Sequence, residues 1–408
     1  MADDHVAPAA RHAGGRAVDR RTLLMAAAGT LAVAGLSGSA RAAGRATSVA
    51  SRAARAFDPV LARQLEKVLR TALRDPSVHA PGGILHVRSP TLGRWTGVAG
   101  LGRVAPKVPM RAGDRFRAGS VMKPFVSVVV LQLVERGRLS LDARLPEVLP
   151  ADVVGRFPTA PDITVRMLLG HRSGIAEWDL AEQDDYAARH PAHVWTIAEI
   201  LDLAAAKPPV FAPGAAYSYC NTEYNLLGLV IDRITGRSWR HEITQRVVRP
   251  LRLTHTALPA PGDLSIKGAH AHGYFELDGR MVDLTRLDPS IAGAAGGSGL
   301  VTTVQDLARF WDALLNGRLF RRPGTLKEML TFGPTPGEVT SGYGLGVEQY
   351  TLPGGIELIG HLGGAGTYRT FVGRLRPQGV TIAFALNFQD DPSPLIFPVV
   401  KTLAATHR

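Results

Sequence analysis

The chain has 408 residues, 45% of them hydrophobic and 20% charged, with five Trp and a formal net charge of +12. That balance belongs to a globular protein with a sizeable core and excludes disordered and fibrous classes. The 47 basic residues outnumber the 35 acidic ones, but they are dispersed, with no basic patch interleaved with aromatics, so nucleic acid is not an expected partner.

The N-terminus reads as an export signal. Arg20-Arg21 precedes a short Ala/Gly-rich apolar run ending at Leu36, and Ala40-Arg41-Ala42 offers small residues at a cleavage site, the pattern of a twin-arginine signal over residues 1–42. The run is shorter than the roughly 18–20 residues needed to cross a bilayer, and no later segment is long and apolar enough, so no membrane span is expected in the mature form. Residues 1–42 hold five Arg and three Asp, which leaves most of the positive charge on the mature body, where anionic wall polymer is a partner it admits. Cys220 is the only cysteine, so an intramolecular disulfide is impossible even in an oxidising compartment.

Residues 43–56 are Ala/Arg/Ser-rich and aperiodic, a flexible linker. From Val60 to Leu73 apolar residues recur at helical spacing. Ile84–Arg88 and Arg94–Val98, divided by Ser89-Pro90, read as a hairpin. Phe116 leads into a long apolar helix that begins near Ser120, runs through Glu135 and ends at Gly137.

Residues 139–320 carry helical patterns at Val165–Leu169, Ile197–Ala205, Asn225–Ile234, Trp239–Val248 and Val304–Leu315. Beyond them the texture becomes β-prone at Leu345–Tyr350, Ile356–Ile359, Thr370–Leu375 and Val380–Leu386, and Leu395–Ala405 reads as a closing helix. Strands at both ends imply one antiparallel sheet assembled from the two termini, residues 57–138 and 321–408, with a mainly helical lobe over 139–320. A cleft between these parts is the expected site.

Ser120-Val121-Met122-Lys123 carries the most chemical information. Residues i and i+3 are neighbours on a helix face, so the amine of Lys123 reaches the hydroxyl of Ser120 and a base stands beside a nucleophile. Three more clusters fall near loop and strand ends. Tyr219-Cys220-Asn221 precedes a helix starting near Thr222, where Asn221 suits an N-cap. His361-Leu362-Gly363-Gly364 follows a strand, and the glycines allow close approach. His171-Arg172-Ser173-Gly174 closes a helix and shapes the cleft. Cys220 reads as a small buried residue. His270-Ala271-His272 lacks a third ligand and is not expected to hold metal. Neither a Gly-x-Ser-x-Gly elbow nor a phosphate or dinucleotide loop appears, so no cofactor is expected.

The order Ser-x-x-Lys, Tyr-x-Asn, His-x-Gly resembles the penicillin-recognising serine hydrolases: class C β-lactamases, family VIII esterases and the exported D-alanyl-D-alanine carboxypeptidases of actinomycetes. Leu169–Gly174, Pro213–Tyr219, His270–Tyr274 and Gly342–Gly346 are similar in kind and order to the last group, and the likeness runs from about Leu61 to Asn387. It implies an α+β, β-lactamase/transpeptidase-like fold: an antiparallel sheet flanked by N- and C-terminal helices, with the helical lobe inserted. It implies further that Ser120 is acylated, Lys123 is its base in the neutral form, and Tyr219 relays the proton as phenolate or through Lys123. Asn221 would hold the acyl amide and His361 would fill the electrostatic role other members give to Lys. The N–H groups of Ser120 and Gly364, beside Gly363, would form the oxyanion hole.

Two departures bear on the substrate. Where the peptidases carry an Arg that holds a terminal carboxylate, this chain has Glu348, and Leu362 and Gly364 replace hydroxyls that bind the same group. The expected function is an exported or wall-associated serine hydrolase, with D-Ala-D-Ala carboxypeptidase ranked first, an esterase or other peptidase second, and a β-lactamase third. A non-catalytic wall-peptide binder is the alternative of a different class.

Overall fold

A computed structural model describes residues 56–406, apart from Asp179, 291–294, Ser298, Glu338, Pro353, Ala365 and Pro377. The expected export signal and all but residue 56 of the expected linker lie outside the described residues.

Helix α1 (Pro59–Ala72) is started by Asp58, whose carboxylate accepts from Val60 N at 2.6 Å and Leu61 N at 3.1 Å, supplying acceptors that the first turn lacks. Its buried residues Leu61, Leu65, Leu69 and Ala72 form one stripe. The hairpin follows as β1 (Gly82–Ser89) and β2 (Gly93–Arg103), and then come the two-residue strands β3 (Val108–Pro109) and β4 (Phe116–Arg117). After a 3₁₀ turn at Gly119–Val121 comes α2 (Met122–Glu135), in which every residue from Met122 to Leu133 is buried. A helix that is apolar on all sides belongs inside the protein. Gly137, at φ 65°, ends it in the left-handed region.

The middle region supplies α3 (Leu145–Val148), α4 (Ala151–Val154), α5 (Val165–Leu169), α6 (Leu180–Arg189), α7 (Ile197–Ala205), α8 (Asn221–Thr235) and α9 (Trp239–Ile243). It also holds a small hairpin, β5 (Tyr274–Leu277) and β6 (Arg280–Asp283), and the short strand β7 (Val301–Thr302). The periodicity had shown neither α6 nor this hairpin. Helix α9 passes into a π-helical turn at Thr244–Val248, so the expected single helix changes winding part-way.

Next come α10 (Val304–Leu315), α11 (Pro323–Met329), β8 (Gly333–Pro334), β9 (Thr340–Tyr343), β10 (Glu348–Leu352), β11 (Ile356–Gly364), β12 (Arg369–Arg376), β13 (Val380–Leu386) and α12 (Ser393–Ala405). The strand expected from Leu345 begins instead at Glu348. Gly346 turns there at φ 85°, hard against the side chains of Ser127 and Tyr224, where no Cβ fits.

Nine strands form one antiparallel sheet in the order β3-β2-β1-β13-β12-β11-β10-β9-β8. This is the expected α+β architecture, with the first and last segments of the described chain meeting at its centre. Strand β13 is buried throughout and explains the layering by its period of two. Its large residues Ile382, Phe384 and Leu386 share a core with Leu65 and Leu69 of α1 and Val399 and Leu403 of α12. Ala383 and Ala385 face the other core, that of α2 and α10.

Helix α10 lies on the sheet, against β13, β1 and β12. Trp311 Nε1 donates to Ile359 O at 3.1 Å, and Asp312 accepts from Arg374 at 2.6 Å, from Thr381 Oγ1 at 2.6 Å and from Arg88. The sheet layer therefore includes a helix that chain order alone had put in the inserted lobe of residues 139–320, because buried ion pairing and an apolar face outweigh sequence proximity. Among the described residues no helix is long and apolar enough to cross a membrane.

Candidate active site

Strand β4 pairs with β7, and Ala118 N donates to Leu300 O at 2.9 Å, which fixes the entry to the 3₁₀ turn bearing Ser120. Gly119 adopts φ 58°, and a side chain there would strike the backbone of Gly364. Glycine is thus required twice over, by conformation and by the approach of β11. Gly363 has the same steric role from the other side: a Cβ would meet Ala118 O, Thr370 Oγ1 and Val121.

Lys123 is fully buried on the first turn of α2. Its Nζ lies 3.1 Å from Ser120 Oγ and 2.6 Å from Asn221 Oδ1, and it also meets Gly296 O. The rings of Tyr219 and Tyr224 stand 4.6 Å and 5.4 Å away. Burial pushes the amine down to about 7, against the opposing pull of carboxylates such as Glu177 and Glu348. A neutral amine has two N–H groups for Asn221 and Gly296 and one lone pair, which is left for the hydroxyl of Ser120.

Tyr219 is half-buried with its phenol beside Ser120, and burial holds that phenol well above its ordinary value. The group is a proton-bearing phenol, not a phenolate. Asn221 is the first residue of α8, and Cys220 is the N-cap. The expected cap at Asn221 is therefore corrected: its amide oxygen serves Lys123, and its backbone N–H is taken by Glu177.

His361 lies on β11, with its ring centroid 6.5 Å from that of Tyr219. Its Nδ1 is 2.7 Å from Leu362 O, a pure acceptor, so Nδ1 carries the proton and Nε2 accepts from Tyr343 OH at 3.1 Å. Burial pushes the imidazole down despite Glu348. Both ring nitrogens are engaged, and burial disfavours the imidazolium. The ring thereby orients the Tyr343 hydroxyl.

Three groups escaped the sequence reading. Glu177 accepts from Asn221 N and from Trp178 N at 3.2 Å, and burial pushes its carboxyl up to about 7. Glu223 is buried and pairs with His171 while accepting from Ser173 N at 3.0 Å. Gly296 supplies the carbonyl against Lys123. Only Glu223 left a trace, as the second residue beyond Asn221 in the same helix. His171 packs beside Tyr219, with ring centroids 4.2 Å apart, so the turn expected to shape the cleft bears directly on that phenol.

Cys220 is buried, its thiol pushed well above the ordinary value by burial, and so is no thiolate nucleophile. His270 and His272 bond to Gly268 O at 2.7 Å and Asp283 at 2.6 Å. No group of three metal-ligating side chains occurs among the described residues.

Residues 62–397 match the family model described as Beta-lactamase. The chain belongs to the β-lactamase family. Within that family it is 31% identical over 239 residues to Penicillin-binding protein 4 of Amycolatopsis lactamdurans, covering 57% of each chain. It is 32% identical over 201 residues to Esterase EstB of Burkholderia gladioli, covering 47% of this chain and 50% of the esterase. These matches span about half the length of those relatives. Among solved structures, a D-stereospecific amidohydrolase from Streptomyces sp. superposes with a TM-score of 0.74 at 32% identity, over 82% of this chain and 97% of that one. The β-lactamase-family serine hydrolases thus include relatives named for penicillin binding, ester cleavage and amide cleavage, and this chain shares their fold.

Proposed function

We propose that this chain is an exported serine hydrolase that forms an acyl-enzyme on Ser120 and cleaves small D-configured amide or peptide substrates, of which the D-Ala-D-Ala carboxypeptidase reaction is one form. The observation that carries this reading is the buried Lys123 amine, pushed down to about 7, 3.1 Å from Ser120 Oγ. The identity to a D-stereospecific amidohydrolase over most of its length supports the D-configuration. The Arg20-Arg21 segment supports export.

In this reaction Ser120 Oγ attacks the substrate carbonyl while its proton passes to Lys123 Nζ. The N–H groups of Ser120 and Gly364 hold the oxyanion, each worth about 10²–10³ in rate. Tyr219, kept as a phenol, relays the proton from Lys123 to the leaving group, and water then reverses the sequence to release the acid. No cofactor or metal takes part.

Incubation with a reporter-labelled penicillin and with D-phenylalaninamide, followed by mass spectrometry, tests the reading. The expected result is an adduct on the peptide containing Ser120 together with release of ammonia from the amide. Rapid turnover of the penicillin would favour a β-lactamase, and ester cleavage with no adduct an esterase. Neither turnover nor an adduct at Ser120 would leave only a wall-peptide binder.

The pH profile offers a second check. The Glu177 carboxylate favours the ammonium form of Lys123, so Glu177→Gln removes a force holding that proton. The acid limb of kcat/KM, expected near pH 7, should move to lower pH because the amine is free at lower pH. A limb that moves up would contradict the assignment of Lys123 as base, and one that stays in place would mean that Glu177 carries no charge where Lys123 titrates.

A further inference from the structure

Strand β10 pairs with β11 only from Ile356 to Gly360, where Glu348 opposes Gly360. Beyond that point residues 361–364 of β11 have no strand beside them on that edge among the described residues, because the chain turns away at Gly346. Leu362 and Gly364, two residues apart, direct their N–H groups to the same edge. Gly364 is the oxyanion donor in the reading above, and Leu362 N donates to Glu348 Oε2 at 2.9 Å. The Glu348 carboxylate is therefore seated on the reactive edge of β11, about 7 Å along the strand from the oxyanion donor.

Only one of its two oxygens is used. Oε2 accepts from Leu362 N and from Tyr350 OH, whereas Oε1 has no hydrogen-bond partner among the described residues. Nor does any Lys or Arg among them form an ion pair with Glu348; the His361 ring lies at 4.0 Å, and its Nδ1 proton already serves Leu362 O. The carboxylate is largely enclosed, with 12% of its side chain exposed, and it lies in the field of Lys123. An enclosed charge is screened far less than one in open water.

We propose that Glu348 sets the leaving-group specificity of the site, rejecting substrates whose departing part carries a free carboxylate and favouring amides and esters whose departing part is cationic. The inference rests on acylation at Ser120 and names the substrate class of that same site. Oε1 offers the open acceptor for an ammonium or N–H on the leaving group, and an approaching carboxylate meets a negative charge that no Lys or Arg among the described residues pairs at salt-bridge distance. Leu362 supplies no hydroxyl at the next position, since its side chain is apolar and packs against the core shared by α1 and α12. A D-alanine leaving group is disfavoured by this arrangement, and an amide of ammonia or of a diamine is not.

The test uses three substrates that share the acyl part diacetyl-L-Lys-D-Ala and differ only in what departs: D-alanine, D-alaninamide or ethylenediamine. For the mature enzyme kcat/KM should rise in that order, by about tenfold or more from first to last. Glu348→Gln keeps an oxygen to accept from Leu362 N and should compress the spread to within about threefold, while Glu348→Arg should invert it. Circular dichroism and the stoichiometry of the acyl adduct at Ser120 confirm that both variants are folded and competent. If the parent enzyme cleaves the substrates with no dependence on charge, or the spread survives Glu348→Gln, the assignment of Glu348 is overturned while acyl transfer stands. If none is cleaved and Ser120 takes no adduct from any of them, acyl transfer and this inference both fall.

Discussion

Lys123→Ala should lower kcat/KM by about 10³–10⁴ while leaving the fold intact. The amine is the only group bonded to Ser120 Oγ whose proton affinity suits a base near neutral pH, and positioned proton transfer is typically worth about 10²–10⁴. The additional factor comes from Asn221 Oδ1, which loses its donor and no longer helps to fix the wall of the site. Stability should change little, because the lost hydrogen bonds are offset by relief from burying an ionisable amine. Lys123→Arg should not rescue activity, since a guanidinium keeps its proton at every working pH. Single-turnover kinetics of Ser120 acylation give the direct measurement. Acylation above about one-tenth of the parent rate in Lys123→Ala would assign the base to another residue, with Tyr219 first in line.

Glu223→Ala should cost about 3 kcal/mol of stability and lower Tm by about 5 °C for a chain of this size. Glu223 is fully enclosed and receives Ser173 N at 3.0 Å as well as the His171 ring. Burial disfavours charge on both partners, pushing His171 down and Glu223 up. Truncation leaves the buried Ser173 N–H without its acceptor and leaves His171 Nδ1 with Cys220 N as its remaining partner at 3.2 Å, and it is this loss of partners, more than the loss of attraction, that sets the cost. His171 holds φ 57°, which a non-glycine residue adopts only under constraint. Its ring contacts Tyr219, Tyr224 and Tyr343. Release of that turn should also loosen the phenol of Tyr219, so that kcat falls together with Tm. Differential scanning calorimetry with parallel kinetics checks both, and an unchanged Tm would mean that the turn is held by packing alone.

Some of this chemistry was written into neighbouring residues. Ser120 and Lys123 are three positions apart, and helix geometry brings them together whatever the rest of the protein does. The stripe of Leu61, Leu65 and Leu69 and the unbroken apolar run of β13 likewise follow from local period, so most elements and the antiparallel class were legible. Where local period was weak, the reading missed: the polar helix α6, the small hairpin β5–β6 and the π-helical turn after α9.

Tertiary structure decided what the amine and the carboxylates do. The bonds that define Lys123 run to Asn221 and Gly296, 98 and 173 residues away, and those of Glu177 and Glu223 close loops of 44 and 52 residues. Residue order cannot reveal such pairings, because they arise when the sheet closes around α2 and brings α8 alongside. Enclosure then shifts the Lys123 amine, the Tyr219 phenol, the His171 imidazole and the Glu177 and Glu223 carboxyls toward their uncharged forms. In this way a lysine becomes a base, while the same closure sets His361 against the Tyr343 hydroxyl and seats Glu348 on the reactive edge of the sheet.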